Sequence, residues 1–575
     1  MIEFPPGLIL VVGALLMPLL RGGAWKAASL LLPLAALWGV WSVPDSTLGA
    51  PFLDYELWVV HINPPTRVFA TIFALMAFGG AVFALNQDRR VEVPAAFVYS
   101  GSAIGVTFAG DLITLFLFWE LMAVGSTIVV WSGFTNASRK AGLRYVNVHL
   151  VGGVIMMAGI IFHVQSTGSI ALTNFSALDS VGAWLILIGI LINAGTPPFG
   201  GWLPDAYPEA SESGTVFLSA FTTKTSVYVL MVLFAGTELL IYTGCLMAVY
   251  GIVYAILEND MRRILAYSIV NQVGFMVCAI GIGTELSLNG AAAHAFAHII
   301  YKALLLMSAG SVLYMTGKRK CTDLGGLYHS MPLTMWCGII GALAISAFPL
   351  TSGFTTKSMI SDAAAREHLT LAWSVLTAAS AGVFLHAGIK FPWFVFFQKD
   401  SGLRPPDPPL NMKLAMVFFA ALCIALGIYP APLYAILPFP APEGEVLYAA
   451  YTGAHVVSQL QLLLFAGLAF FVLLPMLKRT LTITLDFDWL YRKLAPGIWE
   501  HILLPALRAL EPVHRFVVSD LPRLAAATLG ASSTNARTGD GRSVGVGPAV
   551  LVLTVFLLLF VVLNLLDPSA AFARR

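Results

Sequence analysis

The chain has 575 residues, 58% of them hydrophobic and 11% charged, with a mean hydropathy of +0.83. Soluble domains carry about 25% charged residues, so this composition excludes a water-soluble globule and places the chain in a lipid bilayer. A formal net charge of +2 gives no bulk basic field for nucleic acid. The five cysteines are scattered without a CxxC pair, which points away from an iron–sulfur site or a disulfide framework. There is neither a strand-linked GxGxxG nor a Walker A loop, so no site for NADH, flavin or ATP is expected.

A spanning helix needs about 20 mostly apolar residues. In chain order the predicted spans are 6–20, 27–43, 67–86, 94–109, 111–131, 145–165, 182–198, 214–235, 238–257, 264–283, 289–316, 332–361, 370–397, 412–430, 453–477 and 547–566, about sixteen. The first lacks a basic segment before it, and Arg21 and Lys26 follow it, so it reads as a retained helix rather than a signal peptide. Basic residues fall on alternate loops: Arg21 and Lys26, Arg89 and Arg90, Arg139, Lys140 and Arg144, Arg262 and Arg263, Lys318 to Lys320, Lys399 and Arg404, Lys478 and Arg479. The opposite loops carry Asp45, Asp54 and Glu56, or Glu443 and Glu445. The positive-inside rule makes the basic side cytoplasmic and both termini external. Residues 481–545 mix Trp489, Trp499, Leu503, Leu507 and Leu510 with charges, the pattern of an amphipathic helix followed by a linker at 531–544.

Two spans are interrupted. One reads Asn193-Ala-Gly-Thr-Pro197-Pro198-Phe-Gly, the other Ser346-Ala-Phe-Pro349-Leu-Thr-Ser-Gly353. Proline removes a backbone donor, and in hydrocarbon such breaks survive only where protein or water satisfies the freed carbonyls. Two matched interruptions in the two halves of a chain point to inverted repeats and an ion path near the membrane midplane.

Ionisable residues also stand inside apolar spans: Glu120, Lys224, His294, His298, Lys302 and Lys357, with His386 and Lys390 as further candidates. A charge at the bilayer centre costs about 2.5–3.5 kcal/mol even on insertion scales, so such groups are paired or serve transport. His294, His298 and Lys302 are spaced four residues apart and share one helix face, a geometry that passes protons between side chains and water. Any single one could instead be a structural ion pair or a hydrogen-bonded core residue. His294 and His298 also have the spacing of metal ligands, but no third ligand stands near them in sequence and no metal is expected.

The stretches FWELM, GTPPFGGWLPDAYPEAS, FTTKTSVYVL, ENDMRRILAYSIVNQVGFM, HAFAHIIYKALLLMSAG and PLTSGFTTKSM resemble the antiporter-like subunits of respiratory complex I and of multisubunit Mrp-type sodium/proton antiporters, the D-type Mrp component most of all. The likeness covers roughly residues 65–430. It implies an all-α polytopic membrane fold with two inverted five-helix repeats, each holding a broken helix. The division is then N-terminal helices 1–90, first repeat 91–235, second repeat 236–400, C-terminal core helices 401–480, lateral segment 481–545 and last helix and tail 546–575.

The resemblance also implies a proton axis. Glu120 matches the family's tuning glutamate, Lys224 the connecting lysine, His294, His298 and Lys302 the central linking residues, and Lys357 the group facing the exit. Asn193 departs from the pattern, since relatives have lysine there, and Gly200 stands where they have histidine. Either Lys224 partners Glu120, or the first half loads protons differently, or it is weakened. The implied function is that of one membrane component of a sodium (or potassium)/proton antiporter in a bacterial plasma membrane, with other membrane subunits as partners. A proton-pumping subunit of complex I or of a membrane-bound hydrogenase, and a non-conducting structural subunit, are the alternatives. Whether the assembly is an enzyme is left open by a chain without a soluble catalytic site.

Overall fold

A computed structural model describes residues 4–44, 48–52, 54–87, 90–442, 445–475 and 486–505, with single positions at 508, 520 and 523. The chain divides into two units, Met1–Asp488 and Trp489–Arg575.

The first unit is helical apart from one hairpin. It opens with α1 (Pro6–Leu16), α2 (Gly22–Ser42) and the antiparallel strands β1 (Leu48–Phe52) and β2 (Tyr55–Val60), which pair Gly49 with Trp58 and Phe52 with Tyr55. Next come α3 (Thr66–Ala84), α4 (Glu92–Phe108), α5 (Leu112–Trp131), α6 (Asn136–Thr167) and α7 (Val181–Ala194). The middle holds α8 (Trp202–Ala206), α9 (Glu212–Leu218), α10 (Thr222–Leu233), α11 (Leu239–Leu257), α12 (Met261–Ile282) and α13 (Glu285–Thr316). The last part holds α14 (Pro332–Ile345), α15 (Ser352–Arg366), α16 (Thr370–Val383), α17 (Leu410–Ile428), α18 (Ala431–Tyr434) and α19 (Gly453–Val472). Wider π-helical turns at Phe384–Lys390 and Trp393–Phe397 continue α16.

Polar side chains fix the helix starts. Asp111 accepts from the backbone N–H groups of Ile113 and Thr114 at 2.9 and 2.8 Å, and Asp260 accepts from that of Arg262 at 2.9 Å. Each satisfies donors that a helix start leaves unpaired.

Twelve helices among the described residues are long and apolar enough to cross a membrane, with Pro6–Leu19 and Pro332–Ile345 as shorter apolar ones. This is an all-α polytopic membrane protein, and the count is lower than the sequence reading of about sixteen for identifiable reasons. The 332–361 span is split by its break, α4 has 17 residues, and 547–566 lies outside the described residues. The hairpin had no sequence counterpart: it falls in the loop read only for its Asp54 and Glu56.

The interior belongs to α12 and α13. The apolar window of α12 is wholly buried and that of α13 nearly so. α13 packs against α3, α9, α12, α14, α15 and α17. Its run of alanines, Ala291 to Ala293, Ala295 and Ala297, lets these neighbours approach closely, as small residues do in membrane bundles. By contrast α6 is one-sided. Leu150, Val151, Val154, Ile161 and Phe162 are exposed, while His149, Gly152, Gly153 and Met156 are buried.

Both interruptions are real breaks. α7 stops at Ala194, where Gly195 turns into the left-handed region at φ 81°. A non-glycine residue there would be strained. The freed carbonyls are met: Gly195 N–H donates to Ile192 O at 3.2 Å, Thr196 N–H to Leu191 O at 3.1 Å, and the Trp202 indole N–H to Ile192 O at 2.9 Å. The second break runs between α14 and α15 and takes two non-glycine residues, Ala347 and Leu350, to φ 56° and 69°. Side chains of other elements tie it down. Gln459 donates to Ser346 O at 3.1 Å, and the Tyr451 hydroxyl accepts from Leu350 N–H at 3.1 Å while donating to Gly427 O at 2.5 Å.

In the second unit, helical turns run through Leu490–Leu494, Ala495–Ile498 and Trp499–Leu503. Leu507, Leu510, the 531–544 linker and the final span lie outside the described residues.

Candidate functional site

The intramembrane ionisable residues lie in the broken and central helices. Lys224, His294, His298 and Lys302 are fully buried and Lys357 is 3% exposed. Lys224 follows an unwound turn between α9 and α10. Its ammonium donates to Ser219 O at 2.6 Å and to the Thr223 hydroxyl at 3.1 Å, so it does not bond the Glu120 carboxylate. Lys302 donates to the Ser268 hydroxyl at 2.9 Å. Between these lysines and Lys357 stand the two histidines of α13, with ring centroids 6.3 Å apart. His298 is within coulombic reach of Lys224, Lys302, His294 and Lys357, and both of its ring nitrogens lack a partner among the described residues.

His294 is held in a polar knot. Its Nδ1 is 3.3 Å from the Thr356 hydroxyl and its Nε2 is 3.1 Å from Gln272 Oε1, which also accepts from the Tyr301 hydroxyl at 3.0 Å. Gln272 in turn donates to Asn271 Oδ1 at 2.5 Å. The sequence reading missed Gln272, Tyr301 and Thr356. Two adjacent amides, Asn271 and Gln272, in an apolar span were the available signal.

Lys357 Nζ sits 4.3 Å from the centroid of the Phe275 ring and has no hydrogen-bond partner among the described residues. It lines a cavity of ≈ 810 Å³ with Ser361, Asp362, Arg366, Tyr448 and His455. Lys390 is engaged elsewhere, while His386 stands within coulombic reach of Lys302, Lys357 and Lys390. Lys390 donates to the carbonyls of Ala255 at 3.3 Å, Ile256 at 2.5 Å and Glu258 at 2.5 Å, which places it as a cation on the C-terminus of α11. His386 Nδ1 donates to Gly382 O at 2.8 Å.

In the first half, Glu120 is half-buried. Its Oε1 is buried without a partner among the described residues and rests on Gly153 of α6, where any Cβ would collide with it. Asn193, 1% exposed, lies beside the neighbouring Gly152 and accepts a bond from Nδ1 of His149 at 2.6 Å. His149 was not singled out by the sequence reading, which followed the four-residue spacing of α13. Pro197 and Pro198 fill the break below Asn193, and Pro349 and Gly353 flank the second one.

Charges at the basic end lock the segment after the first break. Arg144 makes a two-pronged bond to Asp205 at 2.6 and 2.9 Å. Arg319 bonds Glu209 at 2.9 Å and Asp260 at 2.8 Å. Arg262 donates to Pro208 O at 2.8 Å and Ser211 O at 2.6 Å, and Arg263 to Pro204 O at 3.1 Å. The PDAYPEAS and ENDMRR stretches are thus the two halves of one clamp. Burial holds the Asp260 carboxyl above its ordinary range, with Arg319 and Arg262 opposing that shift.

Comparison with known proteins shows what the chain is similar to. A protein from Rhizobium meliloti, named as the probable A/B component of a K(+)/H(+) antiporter, is 29% identical over 391 residues, 64% of this chain and 39% of that one. The chain therefore matches well under half of that relative's length. The D component of the Na(+)/H(+) antiporter of Alkalihalophilus pseudofirmus is 26% identical over 396 residues, covering 64% of this chain and 80% of its own. The fold resembles a chain of the Mrp complex from Dietzia sp. DQ12-45-1b, with a TM-score of 0.64 at 20% identity over 75% of this chain and 91% of that one. Residues 109–384 match the family described as NADH:quinone oxidoreductase/Mrp antiporter, transmembrane.

Proposed function

We propose that this chain is a membrane subunit of a monovalent cation/proton antiporter complex, and that protons cross it along Glu120, Lys224, His298, Lys302 and Lys357, with His294 tuning the centre. The observation that carries the reading is the placement of Lys357. It is buried among the described helices yet lines a cavity shared with Asp362, Arg366 and the 446–452 segment. By the alternation of loop charge these residues lie on the face opposite the basic loops, so the cavity is the exit on that side. Inward from it, His294, His298, Lys302 and Lys224 form a buried row whose neighbours stand within coulombic reach of one another. A row of exchangeable protons joined to one open end is what a half-channel requires. The two breaks, one in each half of the chain, support the two inverted repeats, with Lys390 outside the path and His386 beside it. The sodium and potassium named for the relatives support a monovalent cation as the exchanged ion. Partner subunits in the same bacterial plasma membrane complete the complex.

The family also includes quinone-oxidoreductase subunits. A redox-driven complex is therefore the second reading, in which partner subunits supply the energy and the same row moves the protons.

The test is cation-driven proton movement in inverted vesicles that hold the whole complex, followed with a pH-sensitive dye. Lys224→Ala and Lys302→Ala should each abolish it at normal abundance. Wild-type rates in both would overturn the axis. Proton movement that needs a reductant and ignores cations would favour the redox reading.

A further inference from the structure

We infer that His149 is the group that loads protons into the first half of this chain, with Asn193 as its positioning residue, so that the pair stands in for the lysine that position 193 lacks. The inference rests on the proton-translocating reading above and deepens it.

His149 is 2% exposed on the inner face of α6. Its ring lies between Tyr145 and Trp202, with centroids 4.1 and 4.6 Å away. An amide oxygen only accepts, so the 2.6 Å contact with Asn193 Oδ1 requires the proton on Nδ1 of the imidazole. The lone pair of the neutral ring is then on Nε2, which is buried with no partner among the described residues. A buried acceptor without a donor costs about 1–3 kcal/mol; a proton taken at Nε2 makes it a charged N–H donor that burial disfavours, so loading requires a counter-ion.

Glu120 is the carboxylate assigned here as counter-ion to the charge so formed. Glu120 Oε1, also unpartnered among the described residues, rests on Gly153. Gly153 is one turn along α6 from His149, about 6 Å of rise. The aromatic rings against the imidazole, Tyr145 and Trp202, bring no charge. Arg144 and Asp205 neutralise each other in their two-pronged bond, and Tyr145 and Tyr207 are uncharged phenols.

The site also connects inward. The Tyr145 hydroxyl is 3.5 Å from the Thr222 hydroxyl, on the first turn of α10, and Lys224 stands two residues on. One proton arrives from the basic face, forms the N–H bond at Nε2, and leaves by breaking the same bond toward the Lys224 side. Nδ1 keeps its proton and its bond to Asn193 throughout, so the step needs no other reactant.

The test uses the full complex in inverted vesicles, with rates measured across pH and normalised to membrane abundance. His149→Gln keeps a donor toward Asn193 but cannot titrate, and should lower the rate about a hundredfold, as loss of a proton-transfer group does. Asn193→Asp puts a carboxylate against Nδ1, which favours the protonated ring, and should move the pH midpoint of transport upward by about one unit. A wild-type rate and profile in His149→Gln overturns the inference. If that variant does not accumulate, Asn193→Asp decides alone, and an unmoved midpoint overturns it. Loss of transport in Lys302→Ala alongside normal His149→Gln sinks only this inference, whereas normal transport in both sinks the function it rests on.

Discussion

At the scale of single residues, burial alone does not separate conducting groups from structural ones; the partners do. Lys390 is 6% exposed, yet it spends its donors on three carbonyls at the end of α11. Lys390→Met should therefore destabilise the protein by about 1–3 kcal/mol through unpaired carbonyls, lowering membrane abundance while transport per molecule stays normal. A per-molecule loss of transport would return Lys390 to the path. Glu120 makes the opposite case, since its buried oxygen has no protein donor among the described residues. Removing a carboxylate near a protonating group favours that group's neutral form. Glu120→Gln should thus move the pH profile of transport downward, and an unmoved profile would uncouple it from the loading step. Asn193 and Glu120 lie against adjacent residues of α6, Gly152 and Gly153. An ammonium introduced by Asn193→Lys should be tolerated beside the carboxylate and stranded by a further Glu120→Gln, at about 3–5 kcal/mol for an unpaired buried charge. Membrane abundance of the two single variants and the double variant checks this. Equal abundance of Asn193→Lys with and without Glu120 would show that the positions do not meet.

At the scale of elements, the two breaks obey one rule with different means. Each must satisfy carbonyls that a continuous helix would have bonded. The first uses Gly195 and the Trp202 indole, both local in sequence. The second uses Gln459 and Tyr451, more than a hundred residues away in the chain. Trp202→Phe should leave Ile192 O without its indole donor at a cost of about 1–3 kcal/mol. Gly195→Ala should add strain of about 1–2 kcal/mol at the left-handed position. Thermal stability in detergent is the measurement for both, and a wild-type melting temperature in each would mean that the break is set elsewhere. The Pro–Gly wording of both breaks was readable from sequence because proline acts on its own turn. The partners of the second break were not, because nothing in 346–353 specifies which distant side chain will arrive.

At the scale of the whole molecule, the alternation of loop charge makes a claim about sides that the cavity at Lys357 turns into an experiment. In a cysteine-free background, Ser361→Cys in that cavity should react with a membrane-impermeant maleimide only from the face opposite the basic loops, and Lys318→Cys only from the basic face. Labelling of both from one side would contradict the orientation and the exit assigned to Lys357. Outward-facing leucines and valines on α6, α17 and α19 are at home against lipid or against other subunits, and single exposed apolar residues on such helices need no further role.

The sequence by itself determined the solvent, the helical class, the two breaks and the row of buried ionisable groups, because each is written in short-range terms: hydropathy over about 20 residues, proline against its own turn, a charge within an apolar run. It also exposed the missing lysine at 193, since a family pattern makes an absence visible. What took its place was decided only by tertiary structure. His149 and Asn193 are 44 residues apart and meet because α6 and α7 pack closely along their small residues. Gln272 and Thr356 join His294 for the same reason, from α12 and α15, whereas Tyr301 lies two turns further along α13 itself. A hydrogen-bond network assembled by packing has no period along the chain, and only the folded bundle reveals which lone polar residues share it.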